Sequence, residues 1–521
     1  MRIASLFIAA ALASTALHAS IVEPVRIDSG LISGTQGESP EVRAFKGIPF
    51  AAPPVGNLRW RAPQPVAKWD RVRKADRFSA ACMQNGTPRD GQLPFSEDCL
   101  YLNVWTAANS ATDRRPVMMW IFGGGLMAGD AARPSFYGDE LAKKGVLIVT
   151  INYRVGLMGS FVHPELSKES GHNASGNQAL LDMIAALEWI HRNIGAFGGA
   201  ANNVTVFGQS SGAGSVTYLL ASPLAKGLFQ RAICESGGGM SLGNAGFARD
   251  YISRNLATAE KVGLAFAAKA GANSLAELRA KPASELLGIE WNVRANIDGW
   301  SQPARLDDTL AAGRQIDVPI LAGSNSDEGA NLVAHPLSAE KWIEQVTHQY
   351  GNMADAYLKL YPAGSDQEAA KSQRNDARDL RAWSARTLLR MANRTGKSKT
   401  YNYLFSRNPE GVLDPTSEFP MLSKPGAAHG FEIVYVFNHL SAPPERPWNP
   451  WDSTLADMMS SYWVNFAKTG DPNGPGLPQW PAYSEQADLL MHFGDKVTVE
   501  QSPLKKVIDA VDPYLGASPV R

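Results

Sequence analysis

The chain has 521 residues, of which 44% are hydrophobic and 19% are charged, so it carries ample apolar material for a folded core. Its 50 basic and 50 acidic residues leave no net charge, which argues against binding to nucleic acid or to an anionic membrane surface. The length fits either several average domains or one large α/β unit with long insertions.

The first 19 residues have the pattern of a secretory signal peptide. Arg2 supplies a basic start, an apolar run follows over residues 3–17, and Ala19 precedes the predicted cleavage site. The alternative is an N-terminal core or anchor helix, but the run is too short to span a bilayer comfortably. We therefore expect an exported mature chain of residues 20–521, periplasmic or extracellular, without stable membrane insertion.

The mature chain begins with segments rich in glycine and proline. Residues 25–37 alternate loosely and are broken by glycines, which indicates small antiparallel hairpins. The prolines of residues 45–60 exclude a helix or a central strand and predict an ordered loop, pinned by the aromatic side chains Phe45, Phe50 and Trp60. Residues 97–105 predict a strand that is entered from an acidic turn.

Three cysteines are present, Cys82, Cys99 and Cys234. In an exported chain, Cys82 and Cys99 would close a short loop that a disulfide staples. Cys234 lies in a strand-like run and is expected to be buried and unpaired. With no second cysteine or histidine nearby, the sequence predicts no metal site.

Further apolar segments predict alternating strands and helices. Continuous apolar runs indicate buried strands over residues 116–122, 146–153, 228–236 and 318–323. Residues 176–194 carry apolar side chains at every third or fourth position, so we expect a helix with one stripe on the sheet and with Asp182 and Arg192 away from that stripe. Residues 455–468 predict another helix with a core-facing stripe. Such alternation is typical of a mostly parallel sheet.

Two long stretches are predicted to be helical insertions that could cap a site, residues 239–300 and 330–425. They contain Trp291, Trp300 and Trp383, which either pack between helices or line a pocket. Packing is the favoured interpretation because large aromatic side chains are usually buried in cores.

Residues 204–215, VTVFGQSSGAGS, carry the pattern on which the functional interpretation depends. A strand-like run at 204–207 is broken by Gly208, and an apolar stretch that suits a helix follows at 216–220. Strand, tight turn and helix form the context of a GxSxG nucleophile elbow. The pattern makes Ser210 the candidate nucleophile, although glycine and serine also fill ordinary turns.

Two other stretches resemble the type B carboxylesterase family. Residues 46–60, KGIPFAAPPVGNLRW, and residues 97–104, EDCLYLNV, are similar to the KGIPYAxPPxGxLRW and EDCLYLNV stretches of that family. The likeness continues through the elbow and through residues 323–329, 427–437 and 460–474. The resemblance implies an α/β-hydrolase fold in one large domain over residues 20–521, a disulfide between Cys82 and Cys99, hydrolysis of small-molecule esters, and no cofactor.

A glycine loop directly follows a predicted strand, because Phe122 leads into residues 123–125. An acyl-transfer enzyme needs N–H donors aimed at the oxygen that becomes negative, and an HGGG-type loop together with the N–H after the nucleophile supplies them. We expect the donors to be the N–H groups of Gly124, Gly125 and Ser211. A triple glycine alone is more often a flexible turn, but its position upstream of an elbow favours an oxyanion hole.

A serine nucleophile needs a base, and the base needs a carboxylate; in this fold the acid precedes the histidine along the chain. Asp327 and Glu328 both follow the strand at 318–323 and suit the acid by chemistry. The family pattern GxNxxEG selects Glu328. By order alone, five histidines could be the base: His335, His348, His429, His439 and His492. We choose His429 because it lies on a predicted loop and matches the family pattern GAxHxxE.

Three positions depart from the family, and two other functions remain open. Gln209 replaces a frequent Glu, which predicts a changed pH profile because a negative charge near the imidazolium is missing. Phe122 and Leu126 stand where His or Tyr and Phe are common, and both are predicted to lie beside the acyl site, so the resemblance implies the mechanism but no particular substrate preference. The alternatives are a non-catalytic binding or adhesion protein on the same fold, and an amidase or carbamate hydrolase that uses the same residues.

Overall fold

Strands make up the centre of the molecule. The computed structural model describes residues 21–88, 93–237, 255–409, 426–442 and 446–516, so the predicted signal peptide, residues 1–19, lies outside the described residues. The described strands are β1 (Val25–Ile27), β2 (Gly30–Ser33), β3 (Thr35–Gln36), β4 (Arg43–Pro49), β5 (Arg73–Lys74), β6 (Ala81–Cys82), β7 (Phe95–Ser96), β8 (Tyr101–Thr106), β9 (Arg115–Ile121), β10 (Leu147–Ile151), β11 (Gly199–Gln209), β12 (Arg231–Glu235), β13 (Ile320–Asn325), β14 (Thr400–Phe405), β15 (Leu489–Phe493) and β16 (Val497–Gln501).

One large sheet dominates. Its 11 strands lie in the order β16-β15-β14-β13-β12-β11-β9-β10-β8-β4-β3. Neighbours from β10 to β15 are parallel, whereas β16 and the β8-β4-β3 edge pair antiparallel. This confirms the mostly parallel sheet that the alternation of elements predicted. Because parallel strands end at a common edge, the loops after β9, β11, β12, β13 and β14 meet there.

Helices connect and flank these strands. The described α-helices are α1 (Asp139–Lys143), α2 (Gly156–Ser160), α3 (Pro164–Glu169), α4 (Gln178–Asn193), α5 (Ser211–Ala221), α6 (Leu256–Lys269), α7 (Leu275–Ala280), α8 (Ala283–Leu287), α9 (Leu306–Ala311), α10 (Gly329–Leu332), α11 (Ala339–Tyr350), α12 (Ala354–Leu360), α13 (Asp366–Thr395), α14 (Ile433–Val436), α15 (Pro450–Thr469) and α16 (Lys505–Gly516). Among the described helices, none is long and apolar enough to cross a membrane.

The predicted buried strands correspond to β9, β10, β12 and β13, and the predicted helices at 176–194 and 455–468 to α4 and α15. In β9, residues 117–121 are fully buried, as expected for a strand covered on both faces. Burial of each such side chain stabilises the fold by roughly 1.5–3 kcal/mol. The sheet therefore forms a rigid base for the loops at its carboxyl edge.

Two predictions about individual elements are wrong. Residues 45–60 do not form a loop throughout, because β4 pairs with β8 and Pro49 is its last residue. The segment 330–425 is not helical throughout, since β14 is a fully buried strand of the large sheet. Asp182 of α4 is fully buried, and its two carboxylate oxygens accept hydrogen bonds from the guanidinium of Arg154.

The described part of the insertion at 239–300 packs against a second, smaller core. That cluster contains Trp60, Phe161 and Trp291 together with apolar residues of α6, α7 and α8. Trp291 is buried and donates to Ser160 Oγ, and Trp383 is buried and donates to Asp512. Both therefore pack between elements, as favoured from the sequence.

The two sulfur atoms of Cys82 and Cys99 form a disulfide, with Cα atoms 4.9 Å apart. Cys234 is a free cysteine and is fully buried in β12. Both cysteines of the pair are also buried, which keeps the bond away from the surface.

Candidate active site

The turn between β11 and α5 has the backbone of a strained elbow. Ser210 has φ 59° and ψ −126°, a conformation that non-glycine residues rarely adopt. The Ser210 N–H donates to the carbonyl of Glu235 at 2.8 Å, and the Ser210 carbonyl accepts from the Gly214 N–H at 3.0 Å. These two hydrogen bonds, one to Glu235 of β12 and one from Gly214 of α5, hold the backbone of Ser210 in this conformation.

The glycines of the elbow are required by close approach. A Cβ added at Gly212 would lie 2.1 Å from the carbonyl oxygen of Ile121, and one added at Gly208 would lie 2.6 Å from the same atom. Because neither residue has a Cβ, α5 begins directly against the end of β9. This packing brings the elbow to the loop that follows β9.

The loop at residues 123–125 lies beside the elbow. A Cβ added at Gly123 would lie 2.9 Å from the Cβ of Ser210, and the N–H of Leu126 donates to Ser211 Oγ at 3.0 Å. Gly124 and Gly125 have φ values of 119° and 67°, which glycine adopts without strain. Within the described chain, the N–H groups of Gly124, Gly125 and Ser211 donate to no other residue. These three donors are available for a bound oxygen.

Glu328 and His429 are in direct contact. Oε2 of Glu328 lies 2.5 Å from Nδ1 of His429, and Oε1 accepts from the N–H of Asn325 at 2.7 Å. The Glu328 side chain is fully buried and that of His429 is 10% exposed. A carboxylate on Nδ1 fixes the tautomer whose Nε2 carries a lone pair, so His429 can accept a proton at Nε2.

The other candidates lie elsewhere. Asp327 accepts from the backbone of Gly426, and burial raises the pKa of its carboxyl. His335 and His348 are exposed, and His439 donates to the carbonyl of Pro134. His492 lies between two other side chains, Ser406, which follows β14, and Glu500 of β16. Of the five histidines and two acids left open by chain order, the structure brings His429 and Glu328 together.

Ser210 and His429 are not hydrogen-bonded to each other in the described chain. Instead, the amide of Gln209 lies against the imidazole, with its Nε2 3.3 Å from Nε2 and 3.4 Å from Nδ1 of His429. An uncharged group therefore lies directly beside the ring. The elbow, the imidazole and the acid nevertheless meet at one edge of the sheet.

Sequence reasoning missed a buried polar network behind the acid. Asn325 donates from its side chain to Glu432 Oε2 at 2.5 Å, and Ser236 donates to Glu432 Oε1 at 3.1 Å. Burial, and then the charge of Glu328, raise the pKa of Glu432 to about 8. Burial and Glu432 likewise raise the pKa of Glu235 well above its usual range. Burial thus disfavours a second negative charge beside Glu328. The family pattern GAxHxxE includes Glu432. Its partners Asn325 and Ser236 are distant from it along the chain, so the pattern does not predict their contacts.

The two apolar departures from the family have different positions. Phe122 is buried with its ring stacked on Tyr153 at 4.3 Å, so it supports the glycine loop from the protein side. That Phe122 lies beside the acyl site stays a prediction. Leu126 has φ 60° and is 9% exposed, at the end of the glycine loop. Leu126 therefore lies near the elbow, because its N–H donates to Ser211 Oγ.

Within the described ranges, no group of three or more His, Cys, Asp or Glu side chains is arranged to hold a metal ion.

Comparisons with known proteins give the family. Residues 22–511 match the model of the carboxylesterase family. The chain is 36% identical over 497 residues to the fumonisin B1 esterase of Sphingopyxis macrogoltabida, covering 90% of this chain and 86% of that protein. It is 33% identical over 513 residues to carboxylesterase 1E of Mus musculus, covering 87% of this chain and 86% of that protein.

Solved structures of esterases have the same fold. A PNB esterase superposes with a TM-score of 0.78 at 30% identity, over 94% of this chain and 99% of the other, and a thermophilic PNB esterase superposes with a TM-score of 0.80. The family model and these relatives extend along nearly the whole described chain. The protein is therefore a member of the type B carboxylesterase family, a carboxylic ester hydrolase with the α/β-hydrolase fold.

Proposed function

We propose that the protein hydrolyses carboxylic esters through an acyl-enzyme intermediate on Ser210. His429 is the general base, Glu328 orients His429, and the N–H groups of Gly124, Gly125 and Ser211 bind the oxyanion. The observation that carries the proposal is the 2.5 Å contact between Glu328 and His429 beside the strained elbow. A carboxylate on the far nitrogen of a histidine is what a serine nucleophile needs for activation.

The proposed reaction proceeds in two halves. Ser210 Oγ attacks the acyl carbon while His429 Nε2 accepts the hydroxyl proton, and the alcohol leaves with that proton. Water then attacks the acyl-serine with His429 again as the base, and the carboxylic acid is released. Attack requires Ser210 Oγ to reach His429 Nε2, so we expect the Gln209 contact with that nitrogen to be exchanged for the Ser210 hydroxyl when an ester binds.

Replacement of the nucleophile tests the proposal. Ser210→Ala is expected to fold normally and to show no turnover of 4-nitrophenyl acetate above background, because no hydroxyl is left at the elbow to form the acyl-enzyme. The matched control is Ser461→Ala, which removes a hydroxyl from the solvent-facing side of α15 and should keep normal turnover. Turnover by Ser210→Ala at the normal rate would contradict the proposed mechanism.

Covalent labelling separates catalysis from a binding role on the same fold. An organophosphonate should add one phosphonyl group to Ser210, detected by intact mass and peptide mapping, because only an activated serine attacks phosphorus. Absence of labelling at Ser210 in folded protein would favour the non-catalytic interpretation. Rates on matched ester, amide and carbamate substrates then distinguish the remaining enzyme classes.

We also propose that the protein is exported to the periplasm or the medium. The basic start and apolar run of residues 1–19 support this, and the disulfide between Cys82 and Cys99 is typical of an oxidising compartment. The mass of the purified exported protein should correspond to a chain that begins at residue 20. Exported protein that retains Met1 would contradict the predicted cleavage.

A further inference from the structure

A second serine, histidine and glutamate meet at the far side of the large sheet. Ser406 directly follows β14, His492 belongs to β15, and Glu500 belongs to β16. Ser406 Oγ lies 2.6 Å from His492 Nε2, and His492 Nδ1 lies 2.7 Å from Glu500 Oε1. Adjacent strands of one sheet position all three residues, so their geometry depends on strand pairing and not on a long loop.

The hydrogen bonds fix the roles of these groups. The Glu500 carboxylate only accepts, so Nδ1–H of His492 donates to it, and Nε2 then carries the lone pair. The Ser406 hydroxyl donates to that lone pair. A base already bonded to the hydroxyl and oriented by a carboxylate is the arrangement that activates a serine.

Small reagents can reach this cluster. Ser406 is half-buried, and the side chains of His492 and Glu500 are 22% and 41% exposed. A Cβ added at Gly494 would lie 2.6 Å from Ser406 Oγ, so the glycine leaves room at the hydroxyl. The cluster thus combines an activated hydroxyl with access from solvent.

We propose that Ser406 is a second acyl-accepting serine, which reacts with activated aryl esters. Ser406 Oγ attacks the carbonyl carbon and its proton passes to His492 Nε2. The bond from carbon to the aryl oxygen then breaks, and the aryl oxide takes the proton from His492 as it leaves as a phenol. The products are acyl-Ser406 and one equivalent of phenol. The inference is independent of the function proposed for Ser210.

The backbone around Ser406 limits the reaction to reactive esters. The N–H of Ser406 donates to the carbonyl of Phe493 at 2.8 Å, and the N–H of Gly494 donates to the carbonyl of Lys496 at 3.1 Å. Both donors are occupied, so they do not stabilise an oxyanion as three free N–H groups can. We therefore expect stoichiometric acylation driven by a good leaving group, with slow loss of the acyl group.

The test uses the full chain carrying Ser210→Ala and 4-nitrophenyl acetate. Intact mass should show one added acetyl group, and peptide mapping should place it on Ser406. Ser461 is the internal reference, because it is also half-buried but donates to the carbonyl of Asp457 and has no histidine partner. Acetylation of Ser406 should be roughly a hundredfold faster than that of Ser461, the contribution expected of a positioned base.

Two variants in the Ser210→Ala background examine the base and its carboxylate. His492→Asn should slow acetylation of Ser406 by roughly a hundredfold, and Glu500→Gln, at an accessible position on β16, should slow it less. If His492→Asn fails to fold, Glu500→Gln supplies the test.

No acetyl group on Ser406, a rate equal to that of Ser461, or a rate unchanged in the folded variants would overturn the proposal. Failure of the mechanism proposed for Ser210 would appear differently, as sustained release of 4-nitrophenol by Ser210→Ala.

Discussion

At the scale of single residues, Gln209 places an uncharged group beside the imidazole of His429. Its neutral amide lies 3.3 Å from His429 Nε2, and behind the acid burial raises the pKa of Glu432. His429 therefore faces the carboxylate of Glu328 on one nitrogen and an uncharged group on the other. A nearby negative charge favours the imidazolium, so a carboxylate at residue 209 would favour the protonated ring more than the amide does.

Gln209→Glu should move the acid limb of the pH profile of kcat/KM to higher pH. The new carboxylate would stabilise the imidazolium, so the pKa of His429 would rise, and the neutral base would be available only at higher pH. We expect a shift of about one pH unit, the lower end of what an adjacent opposite charge produces. The measurement is kcat/KM for 4-nitrophenyl acetate across the neutral range.

Gln209→Met is the matched control, because it keeps the length of the side chain without adding a charge. Its acid limb should stay close to that of the normal enzyme. A shift of the Gln209→Glu limb to lower pH would show that charge at residue 209 does not act on His429.

At the scale of elements, the elbow depends on how closely α5 approaches β9. The absence of a Cβ at Gly212 lets the first turn of α5 contact the carbonyls of Ile121 and Phe122, which end β9 and begin the glycine loop. This contact places the N–H of Ser211 beside the loop of residues 123–125. A small displacement of α5 would separate the three proposed oxyanion donors.

Gly212→Ala should therefore impair both stability and catalysis. The new Cβ would lie 2.1 Å from the Ile121 carbonyl oxygen, which is backbone and has to shift. Overpacking of this kind costs about 1–3 kcal/mol, and a misplacement of about 1 Å at a catalytic site lowers the rate by roughly a hundredfold. Urea unfolding and kcat/KM measure the two effects.

Gly195→Ala provides the comparison, because a Cβ at Gly195 would meet nothing within 4 Å. That variant should match the normal enzyme in both measurements. Equal behaviour of the two alanine variants would mean that the close approach at Gly212 does not position the elbow.

The sequence predicts elements well where their signal is local. The strand, glycine and helix of the elbow are contiguous, and β9 and β13 are uninterrupted apolar runs. β14 was missed because its six residues follow the 30-residue helix α13 in a segment assigned as a whole to helices. β4 is not predicted because all the prolines of residues 45–60 together indicate a loop. Pro49, however, is the last residue of the strand.

Partners that are distant along the chain account for the other misses. The helical pattern of α4 gives no sign that Asp182 is buried and paired with Arg154, which lies 28 positions away along the chain. The contact of Asn325 with Glu432 spans 107 positions, so no local pattern reports it. The choice of Glu328 over Asp327 likewise came from the family pattern, because both are adjacent carboxylates with the same chemistry.

At the scale of the whole molecule, the disulfide connects an outer loop to the active-site edge. Gln84, two residues after Cys82, donates to the Cys82 carbonyl at 2.9 Å. The same side chain holds Gly129 from both sides, accepting from its N–H at 2.9 Å and donating to its carbonyl at 3.1 Å. Gly129 ends the segment that begins with the glycine loop. Gln84 thus links the disulfide to the segment that carries the proposed donors Gly124 and Gly125.

Cys82→Ser combined with Cys99→Ser should lower the free energy of unfolding by about 3 kcal/mol, as expected for a closed loop of this size. The sequence separation of the two cysteines is 17 residues. Urea unfolding without reductant measures the loss, and kcat/KM should also fall because Gln84 loses its fixed position against Gly129. Cys234→Ala is the control: Cys234 is buried and unpaired, so reductant should destabilise that variant as much as the normal enzyme. If the double variant kept the full free energy of unfolding but lost activity, the disulfide would act on the site alone and not on the fold.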